Sequence, residues 1–486
     1  MPIEYEKENK VEETGIPGLL LVDLPVHGDS RGWFKENWQR EKMVALGVPD
    51  RRWVQNNVSF NEKAGTTRGI HAEPWDKFVS VATGSVFGAW VDLRAGSETY
   101  GKVFTAVLDP GKAIYVPRGV GNSYQALEDG TAYAYLVDAH WSAEQKKSYT
   151  FVNLADPDLA IEWPIPLSEC ELSEADKAHP MLKDVEPMRP KRTLVTGCNG
   201  QFGRAVRKLA EGRGSECNFD FTDIDDFDFS DPVQYSRIDW PLYGTVINCG
   251  AYTAVDRAET QEGRVAAWKA NATGPMLLSK ICAEHGITLV HVSSDYVFDG
   301  TKEIHDEDEP LSPLSVYGAS KAAGDLAVST CPAHYILRSS WVIGDGNNFV
   351  KTMMELSDRC ADPDDGLDRV DVVDDQVGRL TFAYDMAKAI FHLLDRNAPY
   401  GTYNCTCSGE PASWAEIARE VFDLRNGNAD AVRPVSTEEY YAGAEDPIAP
   451  RPNSSVLDLE KISIAGFTCK EARGRWPIAS TERLYM

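Results

Sequence analysis

Between residues 16 and 165 the apolar positions fall in short runs or in alternation, cut by Gly, Pro, Asp and Asn. The runs 19–24, 78–82, 86–93, 103–108, 113–116 and 132–137 have the length and period of β-strands. Helical spacing is rare here, so this part is expected to form an all-β sandwich or jelly-roll barrel. Residues 178–191 hold three prolines and mixed charges without periodicity, which is the composition of a linker. Beyond it the period alternates. Strands are expected at 193–196, 245–248, 288–293 and 335–338, and helices at 201–209, 264–285 and 319–328. Strand–helix alternation of this kind builds a parallel, doubly wound sheet. Residues 345–375 and 400–465 are less regular and are expected to form a small lobe over the carboxyl ends of the strands, where such sheets bind ligands. The pattern thus divides the chain into 1–177, a linker at 178–191, and 192–486.

At 486 residues, two or more cores are expected. A net charge of −26 argues against nucleic acid or an anionic membrane as partner. The charged start carries no signal-like apolar core, and no run approaches the ~20 apolar residues of a membrane helix. The ten cysteines are scattered, mainly after Arg192, which suits reduced thiols in a cytoplasm. Cys405-Thr-Cys407 has neither a second pair nor a nearby His, so no metal site is expected.

In the α/β part, an apolar strand runs into Thr196-Gly-Cys-Asn-Gly-Gln-Phe-Gly203. Gly197, Gly200 and Gly203 remove side chains where a pyrophosphate would approach the backbone and sit at the following helix N-terminus. An acid after the second strand would contact the ribose. Asp223 is the candidate, with Asp228 near the adenine, although six aspartates crowd 220–231. A solvated acidic loop is the bland alternative. Tyr317 and Lys321 are four apart and share a helix face. A lysine ammonium there would make the phenol easier to ionise, which suits a general acid serving a carbonyl under reduction. Ser294, after a buried-looking strand, could hydrogen-bond the same oxygen.

These residues and their surroundings resemble the extended short-chain dehydrogenase/reductases, and specifically the dTDP-4-dehydrorhamnose reductase family. The similar stretches are Asn248 to Glu259, Ser293-Ser-Asp-Tyr-Val-Phe-Asp-Gly300, Val316-Tyr-Gly-Ala-Ser-Lys321, Arg338-Ser-Ser-Trp-Val342, Gly346-Asn-Asn-Phe349, Asp374-Asp-Gln-Val-Gly378 and Arg451-Pro-Asn-Ser454. The resemblance implies Ser294, Tyr317 and Lys321 as the catalytic trio, and NADH or NADPH as hydride source. It implies Asn199, Gln201, Phe202 and Ala251 beside the glycines at the cofactor. Tyr252, Trp341, Arg451 and Asn453 are implied near the sugar nucleotide. Cys249-Gly250 and Val377 depart from the family pattern.

In the β part, Arg68-Gly-Ile-His-Ala-Glu-Pro-Trp-Asp-Lys77 places His71 between two cations, in what reads as a polar turn between strands. A lone His is more often structural, but flanking cations suit an anionic substrate, and such a set suits proton abstraction beside a ketone. Residues 16–176 resemble the dTDP-4-dehydrorhamnose 3,5-epimerases, which are cupin-type jelly rolls. The similar pieces are Asp29-Ser-Arg-Gly-Trp-Phe34, Gln55-Asn-Asn-Val-Ser59, Arg68-Gly-Ile-His71, Val91-Asp-Leu-Arg94, Ser97-Glu-Thr-Tyr-Gly101, Val116-Pro-Arg-Gly119, Ile161-Glu-Trp-Pro164 and Leu172-Ser-Glu-Ala-Asp176. The resemblance implies His71 as base, Asp176 as its orienter, and Lys77 and Tyr135 as further catalytic groups. It implies Arg31, Glu36, Gln55, Asn57 and Arg68 at the substrate, and a homodimer through the cupin domain. Asn122, Trp141 and Glu73 depart from the pattern.

Taken together, the expectation is a multidomain chain: an all-β cupin-type jelly roll, then an α/β Rossmann-type domain with a small C-terminal substrate lobe. Such a fusion would epimerise carbons 3 and 5 of dTDP-4-dehydro-6-deoxy-D-glucose and then reduce carbon 4. Alternatives are a reductase whose cupin domain only binds or dimerises, the same chemistry on another nucleotide-sugar, and a nicotinamide sensor. An intact proton donor argues against the sensor.

Overall fold

The structure is a computed structural model, and it describes residues 5, 7–143, 145–214, 218–444 and 446–472. The chain divides into two compact units, 1–190 and 191–486.

The first unit packs two antiparallel sheets. One runs in the order Lys10–Glu13, Leu20–Asp23, Lys112–Val116, Lys77–Thr83, Thr131–Val137, Gln55–Asn61. The other runs Thr150–Phe151, Thr67–Ala72, Val120–Ala126, Val86–Asp92, Val103–Leu108. This is the jelly-roll architecture expected of the alternating pattern. Side chains alternate between the faces of a strand. Val79, Val81, Trp90, Ile114, Tyr124 and Tyr133 therefore fill the space between the sheets. Phe78, Ala113 and Tyr115 lie on the opposite face of the first sheet, packed with Met43 and Val48. Ile70, Ala72, Val91 and Leu93 lie on the outer face of the second, covered by Val152, Leu154, Leu159 and Met188.

Two expectations need correction here. His71 is not in a turn: it lies within strand Thr67–Ala72. Ile70 and Ala72 face an apolar layer while Arg68 and His71 carry the polar chemistry, so the local sequence looked too polar for a strand. The proline-bearing segment 178–190 is not a free tether either. Met188 N donates to Leu93 O at 2.8 Å, Ala95 N donates to Met188 O at 2.9 Å, and Met188 is 5% exposed.

The second unit is built on a fully parallel sheet in the order Phe219–Thr222, Arg192–Thr196, Tyr243–Asn248, Thr288–Ser294, His334–Ser339, Gly401–Asn404. The order reverses between Arg192–Thr196 and Tyr243–Asn248, which opens a crevice at their carboxyl ends. The helix expected at 264–285 is interrupted: Gln261–Trp268 and Gly274–His285 flank a wide π turn at Lys269–Thr273. Pro275, which has no N–H, follows this turn. The lobe has its own core of Val350, Met353, Val372, Ile417, Val421 and Phe422. It is framed by helices Phe349–Ala361 and Trp414–Asn426 and by the parallel pair Val370–Val373 with Val432–Val435. Residues Gly401–Asn404, read as part of the lobe, belong instead to the edge of the main sheet. Among the described residues no helix is long and apolar enough to cross a membrane.

Candidate active sites

In the first unit, His71 Nε2 lies 2.9 Å from Asp176 Oδ1. Asp176 is held by a short helix, Glu174–Lys177, whose N-cap Ser173 Oγ accepts from Asp176 N at 3.0 Å. Burial alone would push the Asp176 carboxyl up, but the His71 hydrogen bond and charge outweigh it and hold the group below its ordinary range. The ring of His71 also meets Phe151 at 5.4 Å and His179 at 5.3 Å, and His179 stacks on Phe151 at 4.7 Å. His179, which sequence reasoning missed, brings Nε2 to 3.9 Å from Asp176 Oδ1. Burial and the neighbouring His71 pull His179 below its ordinary value. The i,i+3 spacing of Asp176 and His179 was the available signal.

Beyond His71 the wall is polar. Its register partner Asn122 is buried, and Asn122 Oδ1 accepts from Trp90 Nε1 at 2.9 Å and Tyr133 OH at 2.8 Å. The departure at 122 is thus a satisfied amide in the barrel interior. Lys77 is 5% exposed and pairs with Glu73, a second departure. Burial pulls the Lys77 amine down to about 7. Lys77 Nζ stands 5.4 Å from the centre of the Tyr135 ring. Burial raises the Tyr135 phenol, which keeps it protonated. Tyr135 pairs with Asn57 across the strands, and Gln55 Nε2 donates to Asn57 Oδ1 at 2.9 Å. Arg68 Nε reaches Asn61 Oδ1 at 3.4 Å. His71, Lys77, Tyr135, Asp176, Gln55, Asn57 and Arg68 therefore share this end of the barrel. Trp141 is 55% exposed, and its backbone N–H donates to Gln55 Oε1 at 3.1 Å. Arg31 and Glu36 are not drawn into the His71 cluster. Arg31 is exposed and pairs with Asp29 in the hairpin Val26–Asp29/Gly32–Lys35, and Glu36 pairs with Lys42.

In the second unit the glycine turn fits a phosphate-bearing cofactor. Gly197 has φ +67°, and a Cβ there would lie 2.5 Å from Gly250. A Cβ on Gly203 would lie 2.3 Å from Gly197 O. Helix Gln201–Gly212 begins at Gly200 with no side-chain cap, so its first N–H groups are open to an anion. Asn199, Gln201 and Phe202 belong to this turn. Asp223 follows strand Phe219–Thr222 and accepts from Asn199 N at 2.8 Å, so it stands beside the glycine turn. Asp228 is committed to Ser230 and to Lys269 Nζ at 3.0 Å. Ala251 and Tyr252 follow strand Tyr243–Asn248. Asn271, in the π turn, clamps them: its Oδ1 accepts from Tyr252 N at 2.9 Å and its Nδ2 donates to Tyr252 O at 3.0 Å.

Ser294 ends strand Thr288–Ser294, and its Oγ donates to Asp295 Oδ1 at 2.9 Å. Tyr317 and Lys321 lie on helix Val316–Val328, capped by Ser315. Burial pushes the Tyr317 phenol up to about 12, and a hydrogen bond with Ser294 only partly opposes it. The expected easing by Lys321 does not operate. Lys321 Nζ turns away to donate to Val292 O at 2.7 Å, and burial lowers its amine to about 8. A phenol that holds its proton still suits a general acid. Tyr296 packs edge-on against Tyr317 at 5.6 Å, and burial raises its phenol, an effect Arg451 only partly opposes. Arg451 is anchored on Asp256 at 2.8 Å, while Asn453 is exposed two residues on. Trp341 takes φ +46°, unusual for a bulky residue, and stacks on Trp414 at 3.7 Å.

Residues 13–184 match the family described as dTDP-4-dehydrorhamnose 3,5-epimerase, and residues 191–475 match the RmlD substrate binding domain. The chain is 54% identical over 181 residues to "Protein RmlC homolog" of Streptococcus pyogenes serotype M6, covering 36% of this chain and 90% of that protein. It is 37% identical over 290 residues to the dTDP-4-dehydrorhamnose reductase of Aggregatibacter actinomycetemcomitans, covering 56% of this chain and 92% of that protein. The crystal structure of dTDP-4-dehydrorhamnose reductase from Bacillus anthracis, in complex with NADP, matches with a TM-score of 0.51 at 32% identity, covering 60% of this chain and 97% of that one. Since each half spans nearly the whole of its relatives, the chain belongs to the dTDP-4-dehydrorhamnose 3,5-epimerase family in its first unit and to the dTDP-4-dehydrorhamnose reductase (RmlD) family in its second.

Proposed function

We propose that this chain performs two consecutive steps on one dTDP-linked 4-keto-6-deoxy sugar, epimerising carbons 3 and 5 and then reducing carbon 4. The observation that carries the reading is the presence, in one chain, of a His71–Asp176 dyad beside buried Lys77 and Tyr135, and of a Ser294/Tyr317/Lys321 set beside a glycine turn.

A ketone at carbon 4 acidifies the protons on carbons 3 and 5. His71 removes one, and Asp176 fixes its tautomer and stabilises the imidazolium. Lys77 stabilises the enolate oxygen. Tyr135, kept protonated by burial, returns the proton from the opposite face. Gln55, Asn57 and Arg68 hold the nucleotide-sugar. In the second unit Gly197, Gly200, Gly203 and the start of helix Gln201–Gly212 hold the dinucleotide, with Asp223 at the ribose and Ala251 along its path. A reduced nicotinamide bound there supplies the hydride; NADP in the Bacillus anthracis relative supports that class of cofactor. Ser294 orients the carbonyl, Tyr317 donates the proton and Lys321 supports it. Tyr252, Trp341, Arg451 and Asn453 face the sugar nucleotide.

We place the protein in the cytoplasm, which suits nine described cysteines that are thiols rather than disulfides. It pairs as a homodimer through the first unit. Strand Gln55–Asn61 ends its sheet and exposes Val58 at 65% and Phe60 at 59%, and the hairpin above exposes Phe34 at 69%. Arg31 and Glu36 reach substrate only across such a dimer.

The test is incubation of the full chain with the dTDP-keto-sugar in deuterated water, with and without NADH or NADPH. Deuterium uptake without nicotinamide and L-rhamnosyl product with it are expected. Reduction without any uptake would leave the first unit as a binding module only.

A further inference from the structure

Under the reductase site, three strands carry a buried polar row. Thr196, Asn248 and His291 are successive register partners on the adjacent strands Arg192–Thr196, Tyr243–Asn248 and Thr288–Ser294, and each is 0% exposed. Polar groups in such a place need partners, and their geometry leaves one arrangement of protons.

The backbone N–H of Gly250 can only donate, and it donates to Asn248 Oδ1 at 3.1 Å. Thr196 Oγ1 donates to the same oxygen at 2.8 Å. The other amide atom of Asn248 is therefore the NH2 group, which can only donate. It faces His291 Nδ1 at 3.1 Å. That nitrogen must accept, so the imidazole proton sits on Nε2, and an imidazolium would set two donors against each other. Burial independently holds His291 in its neutral form.

The Nε2–H then points at Lys321 Nζ, 3.4 Å away. Lys321 Nζ already donates to Val292 O. An uncharged amine has a lone pair to receive the imidazole N–H, whereas an ammonium has none. The other charged group acting on this amine is Asp325, on its own helix. Asp325 favours the ammonium but is itself engaged by Arg338, from strand His334–Ser339, at 3.0 Å.

We propose that His291 is a positioning residue for the reductase site: locked by Asn248 into its Nε2–H tautomer, it presents a donor to Lys321 Nζ and sets the pH at which that amine takes up a proton. This rests on the reading of Lys321 as a reductase residue. It concerns how Lys321 is tuned, through groups that touch neither substrate nor cofactor.

The test uses the full chain without substrate. Histidine 15N NMR at neutral pH is expected to show His291 protonated on Nε2 alone; protonation on Nδ1, or on both nitrogens, overturns the proposal. In Asn248→Asp a carboxylate meets Nδ1, draws the proton there and turns the Nε2 lone pair toward Lys321. The Lys321 amine, followed through its 13Cε resonance and assigned with Lys321→Met, is then expected to titrate higher by about one unit or more. An unshifted titration in a variant whose tautomer has switched overturns the proposal. Failure of the reductase reading would appear separately, as no substrate-dependent oxidation of NADH or NADPH by the unmodified chain.

Discussion

Replacing Asp176 with Asn keeps the shape of the first site and removes its buried negative charge. The side chain is 9% exposed, against 32% for His71, and its Oδ1 stands 2.9 Å from His71 Nε2, so water screens the pair only in part. When His71 takes a proton from the sugar, that contact becomes a charge-assisted hydrogen bond. Such bonds are worth about 1.5–3 kcal/mol, which at ~1.36 kcal/mol per decade corresponds to a slowing of about 10- to 150-fold. His71→Ala removes the proposed base and is expected to cost roughly 10²- to 10⁴-fold. The assay is deuterium uptake into the dTDP-keto-sugar without nicotinamide, read by mass spectrometry. Reduction of pre-epimerised substrate serves as the control for folding and should stay at the parent rate in both variants. An Asp176→Asn uptake rate equal to the parent's would refute the dyad.

Tyr317→Phe is expected to slow reduction by roughly 10²- to 10⁴-fold and to leave deuterium uptake intact, as seen by following nicotinamide absorbance and exchange in parallel. NADH is expected to be preferred over NADPH, because a 2′-phosphate would meet Asp223; kcat/KM for both cofactors at one ionic strength checks this, and Asp223→Ala should move the ratio toward NADPH. Asp325→Asn strips the partner from a buried Arg338, with side chains 2% and 5% exposed, and should cost about 3–5 kcal/mol in urea unfolding; a change under about 1 kcal/mol would contradict the pair's role. An unfolded lysine keeps its proton to about 10.4, whereas folded Lys321 releases it near 8. Between those values the unfolded chain binds more protons, so stability rises with pH. Relative to Lys321→Met, the parent should gain urea resistance from pH 8 to pH 10, and parallel curves would argue against a lowered Lys321.

Local pattern went furthest where a backbone requirement is written in a few adjacent residues. The glycine turn at 197–203 is legible because only glycine leaves room at Gly197 and Gly203 for a backbone 2.3–2.5 Å from a would-be Cβ. Tyr317 and Lys321 are legible because four residues make a helical turn. The same local reading misled at His71, where alternation between an apolar outer layer and a polar interior was taken for a turn. It also carried the Tyr317 phenol in the wrong direction, since spacing places Lys321 on the right face but says nothing of burial or of Val292 O.

The sequence alone therefore determined the division into a β part and an α/β part, the glycine turn and the Tyr317/Lys321 pair, because each follows from periodicity or spacing within about a dozen residues. Tertiary structure decided the rest. His71 meets an aspartate 105 residues away only because helix Glu174–Lys177 is brought against strand Thr67–Ala72. Thr196, Asn248 and His291 become a row only because the sheet places their strands side by side in register. Strand order and register arise from burying apolar faces across the whole unit, and no short stretch of chain encodes which strand its neighbour will be.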